Sequence, residues 1–220
     1  MRMATSKRPL FIAVAGNIGA GKSSLTQLLA DHFTLKPYFE SVDDNPYLSD
    51  FYTDMPRWSF HLQIYFLANR FKSHKMIVES GSSVIQDRSI YEDAEIFARN
   101  LYEMKRMTQR DYDTYVSLFH VMQEYLKPPD LLVYLQASVD TLVDQIGRRG
   151  RDFEKSIERA YLEKLNGHYE DWIQRYTIGP VLTIPTDNLD FVSKKADLDD
   201  MIGRVKNALP QFEMFGRSSE

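Results

Sequence analysis

The chain has 220 residues, with 31 acidic and 27 basic side chains, a formal net charge of −4 and no cysteine. That length suits one α/β domain, and the acidic balance argues against a surface built to hold the backbone of DNA or RNA, so no polynucleotide partner is expected. Without cysteine, disulfides, thiolate zinc sites and thiol nucleophiles are excluded, while 43% apolar and 26% charged residues describe a chain able to bury a core.

Residues 1–8 are polar and are expected to fray. Arg2, Lys7 and Arg8 precede the apolar run Leu10–Ala15, which is far too short to span a bilayer. Neither a signal peptide nor a membrane partner is expected, and a cytoplasmic location follows as the default. Leu10–Ala15 reads as a buried strand, and the helical pattern Lys22–Phe33 follows a glycine-rich turn. Next come a weaker strand at Pro37–Glu40, a long helix at Trp58–Ser80 closed by Gly81, and a strand at Val84–Gln86. Helices at Ile90–Leu101 and Gln109–Leu126 follow, the second broken by Pro128 and Pro129. Leu131–Leu135 is a strand, Val139–Arg149 and Ile157–Tyr176 are helices, Val181–Ile184 is a strand and Lys195–Ala208 a last helix. Short apolar runs alternating with helices predict five parallel strands wrapped by helices. With no repeat or flexible linker, one domain over residues 9–212 is expected, and residues 213–220 are expected to be loose.

The turn after the first strand reads Gly16-Asn17-Ile18-Gly19-Ala20-Gly21-Lys22-Ser23, a complete P-loop pattern, and Leu25, Leu28 and Leu29 give the following helix its apolar side. Glycines let successive backbone N–H groups turn toward phosphate oxygens, and the helix adds its positive end. Lys22 then balances charge on the last two phosphates of an ATP-type nucleotide, and the Ser23 hydroxyl suits Mg²⁺. The Asn-Lys-x-Asp guanine reader of regulatory GTPases does not occur, so phosphate transfer fits better than a switch.

An acceptor hydroxyl needs a base, and the migrating phosphate needs cations. Glu40 follows Tyr38-Phe39 at the expected C-terminal end of the second strand, beside the glycine turn, though a solvated loop acid reads equally well there. Asp87-Arg88-Ser89 closes the third strand on the same edge, where an acid and an arginine suit a metal's water and a phosphate. Ser89 also reads as a helix cap, which excludes neither role. Arg148, Arg149 and Arg151, interleaved with Gly147 and Gly150, suit a flexible basic lid over polyphosphate.

Taken in order, these signatures resemble the deoxynucleoside kinases, in the branch that includes deoxyadenosine, deoxyguanosine and deoxycytidine kinases. The resemblance runs from Phe11 to about Leu209. It rests on the P-loop, Phe39-Glu40-Ser41-Val42, Tyr52 with Arg57-Trp58-Ser59-Phe60, Gln63, Asp87-Arg88-Ser89, Arg149-Gly150-Arg151 with Glu154, and Asp190-Phe191. It implies a doubly wound, P-loop NTPase-type α/β fold of strand order 2-3-1-4-5 with a short arginine-rich lid. It also implies ATP as donor, Mg²⁺ as cofactor, a deoxynucleoside acceptor and a homodimer of packed helices.

The same resemblance assigns roles. Glu40 is implied as the base on the 5′-hydroxyl and Arg88 as its positioner and a phosphate contact, with Lys22, Arg149 and Arg151 completing the catalytic set. Gly16 to Ser24, including Asn17, Ile18, Gly19, Ala20, Gly21 and Ser23, are implied to hold the ATP phosphates, and Asp190 and Phe191 to frame its adenine. Asp87 is implied to hold Mg²⁺ through water, Tyr52 and Glu154 to bind the sugar 3′-hydroxyl, and Gln63, Arg70 and Asp93 to read the base; apart from the resemblance, an aromatic side chain such as Trp58, Phe66 or Phe97 offers stacking or packing surface. Independently, Gln63 and Arg70 lie seven residues apart and so share one helix face beside Phe66 and Leu67, where buried polar groups need partners. Arg70 and Asp93 offer a donor and an acceptor to a purine edge, so deoxyadenosine or deoxyguanosine is favoured, although deoxycytidine can use the same groups. Two positions depart from the family pattern: Gln145 stands where a first lid arginine is usual, and Ser41 replaces a frequent proline. A nucleoside monophosphate kinase and a nucleotide sensor without turnover are the alternatives. The first would need cations for the acceptor's own phosphate, and the intact Lys22, Glu40 and Arg88 set argues against the second.

Overall fold

The computed structural model describes residues 8–39, 45–151, 154 and 157–209. Glu40 and Ser41, residues 1–7 of the leader expected to fray over 1–8, and the loose end expected at 213–220 lie outside the described residues, whereas Arg8 pairs with Asp130. Strands β1 (Phe11–Gly16), β2 (Lys36–Tyr38), β3 (Val84–Asp87), β4 (Leu131–Gln136) and β5 (Val181–Pro185) form one parallel sheet in the order β2-β3-β1-β4-β5. β1 is central and buried along its whole length, as its unbroken apolar run requires.

The period-2 geometry of β1 and β4 divides the core into two layers. On one face Ile12, Val14, Val133 and Leu135 pack with helices α1 (Lys22–Phe33), α7 (Val139–Arg149) and α9 (Lys195–Ala208). On the other, Ala13, Ala15, Leu132 and Tyr134 meet α2 (Leu48–Thr53), α3 (Met55–Glu79), α6 (Gln109–Gln123) and α8 (Arg159–Arg175). That second layer also holds a composite helix, in which α4 (Ile90–Glu92) and α5 (Arg99–Glu103) flank a π segment, Asp93–Ala98.

Several elements depart from the expected bounds. α3 starts at Met55 rather than Trp58, because the Asp54 side chain accepts the Arg57 N–H at 3.3 Å and Pro56 occupies the first turn. α2 has too few residues to display a helical period and was not anticipated. The uniform helix expected at Ile90–Leu101 contains the π segment, and α6 gives way after Gln123 to turns leading into Pro128. Gly147, Arg148 and Arg149 form the last turn of α7, which stops where Gly150 takes φ +68°, so most of the expected flexible cluster is helical.

Candidate functional site

Past Gly16 the chain curls through Asn17–Gly21 and enters α1, which no described side chain caps, leaving a helix N-terminus facing the turn. Gly19 has φ +86°, and a Cβ there would lie 2.9 Å from both the Leu142 carbonyl oxygen and Ile146 Cγ1, so α7 packs directly on the turn. On the other flank the Phe191 ring lies against Gly21. Asn17 is buried and anchors the turn: its Oδ1 accepts the Ile18 N–H at 2.7 Å, and its Nδ2 donates to the Leu162 carbonyl at 3.0 Å and to Asn166 Oδ1 at 2.6 Å. Lys22 Nζ folds back to the Asn17 carbonyl at 2.9 Å. Ser23 and Ser24 follow Lys22 in the first turn of α1, and Ser23 Oγ donates to Asp87 Oδ2 at 2.5 Å.

Asp87 ends β3 beside β1, and its second oxygen, Oδ1, is buried with no hydrogen-bond partner among the described residues. Arg88 then takes φ +65°, a strained state for a side-chain-bearing residue, and its N–H donates to the Val14 carbonyl at 2.9 Å. Its guanidinium lies 4.3 Å from the centre of the Phe97 ring and donates to the Tyr169 hydroxyl at 3.3 Å. Arg70 supports this turn from α3: Nη1 donates to the Arg88 carbonyl at 3.2 Å and Nε to Asp93 Oδ2 at 2.6 Å, within a buried ion pair.

Two cavities meet at the glycine turn. The inner one, of about 130 Å³, has Lys22, Ser23, Asp87 and Arg88 at the sheet edge and Gln63, Phe66, Asp93 and Phe97 from the second layer. Tyr52, Tyr161, Glu154, Arg149 and Arg151 also line it. Gln63 Oε1 is buried without a partner among the described residues. Of the three expected base readers, Arg70 is absent from the lining and stands behind Asp93, to which its Nε donates. Burial, with Tyr161 and Glu154 nearby, pushes the Tyr52 phenol well above its ordinary value, which keeps it a protonated donor. Arg149 grips Glu154 with two bonds of 2.9 and 2.6 Å, and Arg151 approaches the same carboxylate at 3.6 Å.

The outer cavity, of about 790 Å³, runs from Gly19–Ser24 past Gln145 and Arg148 to the loop Thr186–Lys194. Gly19, Lys22, Ser23, Arg149 and Arg151 line both cavities. Asp190 and Phe191 belong to the outer cavity, where the Asp190 carboxylate accepts the Ser193 N–H at 3.0 Å and so shapes the loop itself. Sequence reasoning missed Phe51 and Tyr161 in the inner wall, Asn166 behind the turn, and the buried pair Glu92 and Tyr169. Only Glu92 left a signal, since Ser89-x-x-Glu92 has capping-box spacing.

A family model described as deoxynucleoside kinase matches residues 12–210. The chain is 42% identical over 200 residues to the deoxyadenosine/deoxycytidine kinase of Bacillus subtilis, covering 90% of this chain and 92% of that one. It is 41% identical over 208 residues to a deoxyguanosine kinase of Lactobacillus acidophilus, covering 89% and 90%. The solved structure of deoxyadenosine kinase from M. mycoides with bound dATP superposes with a TM-score of 0.79 at 31% identity, covering 90% of this chain and all of that one. An ordered glycine turn, two cavities converging on it and a match along nearly the whole length agree: the chain belongs to the deoxynucleoside kinase family of phosphotransferases.

Proposed function

We propose that this kinase transfers the terminal phosphate of ATP to the 5′-hydroxyl of a purine deoxynucleoside. The observation that carries the reading is that the two cavities share Gly19, Lys22, Ser23, Arg149 and Arg151. Donor phosphates lying along the turn from the outer cavity thereby present their terminal group to a hydroxyl in the inner one. Backbone N–H groups from Gly16 to Ser24 and the Lys22 ammonium hold the phosphates, and Arg88, Arg149 and Arg151 stabilise charge on the group in flight. Phe191 and the Asp190 turn frame the donor base. Glu40, which follows β2 in the sequence, takes the proton from the 5′-hydroxyl as its oxygen attacks phosphorus.

On the acceptor side Tyr52 donates and Glu154 accepts at the sugar 3′-hydroxyl. Gln63 reads the base edge beside Asp93, which Arg70 orients, and Phe97 packs against the ring. The unpartnered Gln63 oxygen supports a contact with the edge of the base, because a carboxamide can both accept from and donate to it. Relatives named for deoxyadenosine, deoxycytidine and deoxyguanosine support the breadth of this choice. The residues also fit Mg²⁺: Asp87 Oδ1 lacks a partner among the described residues, and the Ser23 hydroxyl lies on the other oxygen. When bound there, Mg²⁺ would neutralise phosphate charge, with Ser23 as ligand and Asp87 holding one of its waters.

A coupled assay with Mg-ATP and each deoxynucleoside, and separately each deoxynucleoside monophosphate, tests the reading. Turnover is expected with deoxyadenosine or deoxyguanosine foremost. Turnover with monophosphates alone, or with none of these acceptors, would overturn it. As an assembly we propose a homodimer, supported by the exposed Met76 and Val78 at the end of α3 and by Leu118, Val121 and Tyr125 on and after the adjacent α6. No helix among the described residues is long and apolar enough to cross a membrane. A cytoplasmic location is proposed from the nucleotide substrates.

A further inference from the structure

Glu92 carries a carboxylate at 0% exposure that no part of the proposed chemistry uses. β1 and β3 pair through Val14 and Asp87, and the Arg88 N–H still bonds the Val14 carbonyl. Alternate residues of a parallel strand bond to alternate neighbours, so the Gly16 peptide groups face the place where β3 would continue. β3 does not continue, because Arg88 turns the chain away at φ +65°. Two side chains take its place: Glu92 Oε1 accepts the Gly16 N–H at 3.4 Å, and the Tyr169 hydroxyl lies 2.8 Å from both the Gly16 carbonyl oxygen and Glu92 Oε1.

The other carboxylate oxygen holds the opposite bank. Glu92 Oε2 accepts the Ser89 N–H at 2.7 Å and the Ser89 hydroxyl at 3.1 Å, while the Arg88 guanidinium donates to Tyr169 at 3.3 Å. One fully enclosed carboxylate thus ties the first residue of the phosphate cradle to the turn that carries Asp87 and Arg88. Sterically fixed donors on both oxygens leave it little freedom to adopt another rotamer.

We propose that Glu92, acting with Tyr169, is a positioning residue that fixes the phosphate cradle relative to Arg88, so that the donor's terminal phosphate and the cation meant for it stay in register. A misplacement of about 1 Å remote from the chemistry can cost about 10²-fold in rate, which is the scale such a brace controls. Glutamine at position 92 keeps the shape but presents an NH₂ where an oxygen now accepts N–H groups.

The test measures kcat and both KM values for the wild type, Glu92→Gln, Tyr169→Phe and the double variant, below their melting temperatures. Glu92→Gln is expected to lower kcat by about 10- to 100-fold with either KM changed by less than about threefold. Tyr169→Phe is expected to lower kcat in the same sense, and the double variant to lose no more than the worse single one, because the two groups act as one unit. A kcat within about twofold of wild type in both variants, whatever happens to their melting temperatures, would overturn the proposal. So would losses that multiply in the double variant, or a rise in KM alone. If Glu92→Gln fails to fold, Tyr169→Phe, which removes one oxygen and keeps the ring, decides by the same criteria. The inference rests on the kinase reading: a wild type that turns over no deoxynucleoside sinks that reading and this inference together, whereas normal wild-type and variant turnover sinks this inference alone.

Discussion

Gly19 shows how much a single position can demand. Its φ of +86° is open to glycine at little cost, and the space a side chain would need holds the Leu142 carbonyl and Ile146. Gly19→Ala is expected to shift α7 off the cradle and lower affinity for ATP by at least about tenfold, at a cost of about 1–3 kcal/mol in stability. Isothermal titration and urea unfolding would measure the two effects, and wild-type affinity would refute the packing argument. Arg70 and Asp93 make a different case, since breaking a buried ion pair strands a charge. Arg70→Met is expected to cost about 3–5 kcal/mol and to disturb the Arg88 turn, whose carbonyl Arg70 holds. Denaturant titration reads this directly, and a loss below about 1 kcal/mol would mean that Asp93 finds another partner.

Elements whose identity depends on periodicity were legible, and those set by local chemistry were partly so. β1, α1 and β4 have long apolar patterns that leave little choice. α3 was legible as a helix, but its start was set by a polar cap and a proline rather than by a hydrophobic period. Asp54→Ala is therefore expected to lower stability by about 1 kcal/mol with little effect on kcat, as a melting curve and a steady-state assay would show. The π segment Asp93–Ala98 left no local signature, because its sequence is compatible with an ordinary helix. Its first residue is held by Arg70 and its fifth lies under Arg88, contacts that belong to other elements.

At the scale of the molecule, acid stability follows from a buried histidine far from the cradle. His74, on α3, packs edge-on to Phe11 and accepts the Lys127 N–H at 3.1 Å, so it is folded as the neutral base. Burial pulls its pKa from 6.5 down to about 4. Between those values the unfolded chain binds the proton and the folded one does not, so stability rises with pH across this window and is lost as pH falls from about 6.5 to 4. The loss amounts to about 3 kcal/mol, and His74→Gln is expected to flatten it in urea titrations at several pH values. An unchanged slope would assign the acid sensitivity to carboxylates instead. For the assembly, Val121→Glu is expected to convert a dimer into a monomer by sedimentation, and a monomeric wild type would refute the proposed interface.

By itself the sequence determined the parallel sheet, the cradle at the end of β1 and the acid–arginine pair at the end of β3, because alternating apolar runs, glycine spacing and strand ends are local and periodic. It also named Gln63, Tyr52 and Glu154, through ordered motifs whose meaning lies in likeness to a family. Only the tertiary structure decided that Arg70 stands behind Asp93, and that Glu92 and Tyr169 replace a missing strand beside Gly16. Those outcomes join residues separated by up to 153 positions. A contact between distant segments is fixed by how the layers pack, and packing is a property of the folded chain that no short window of sequence contains.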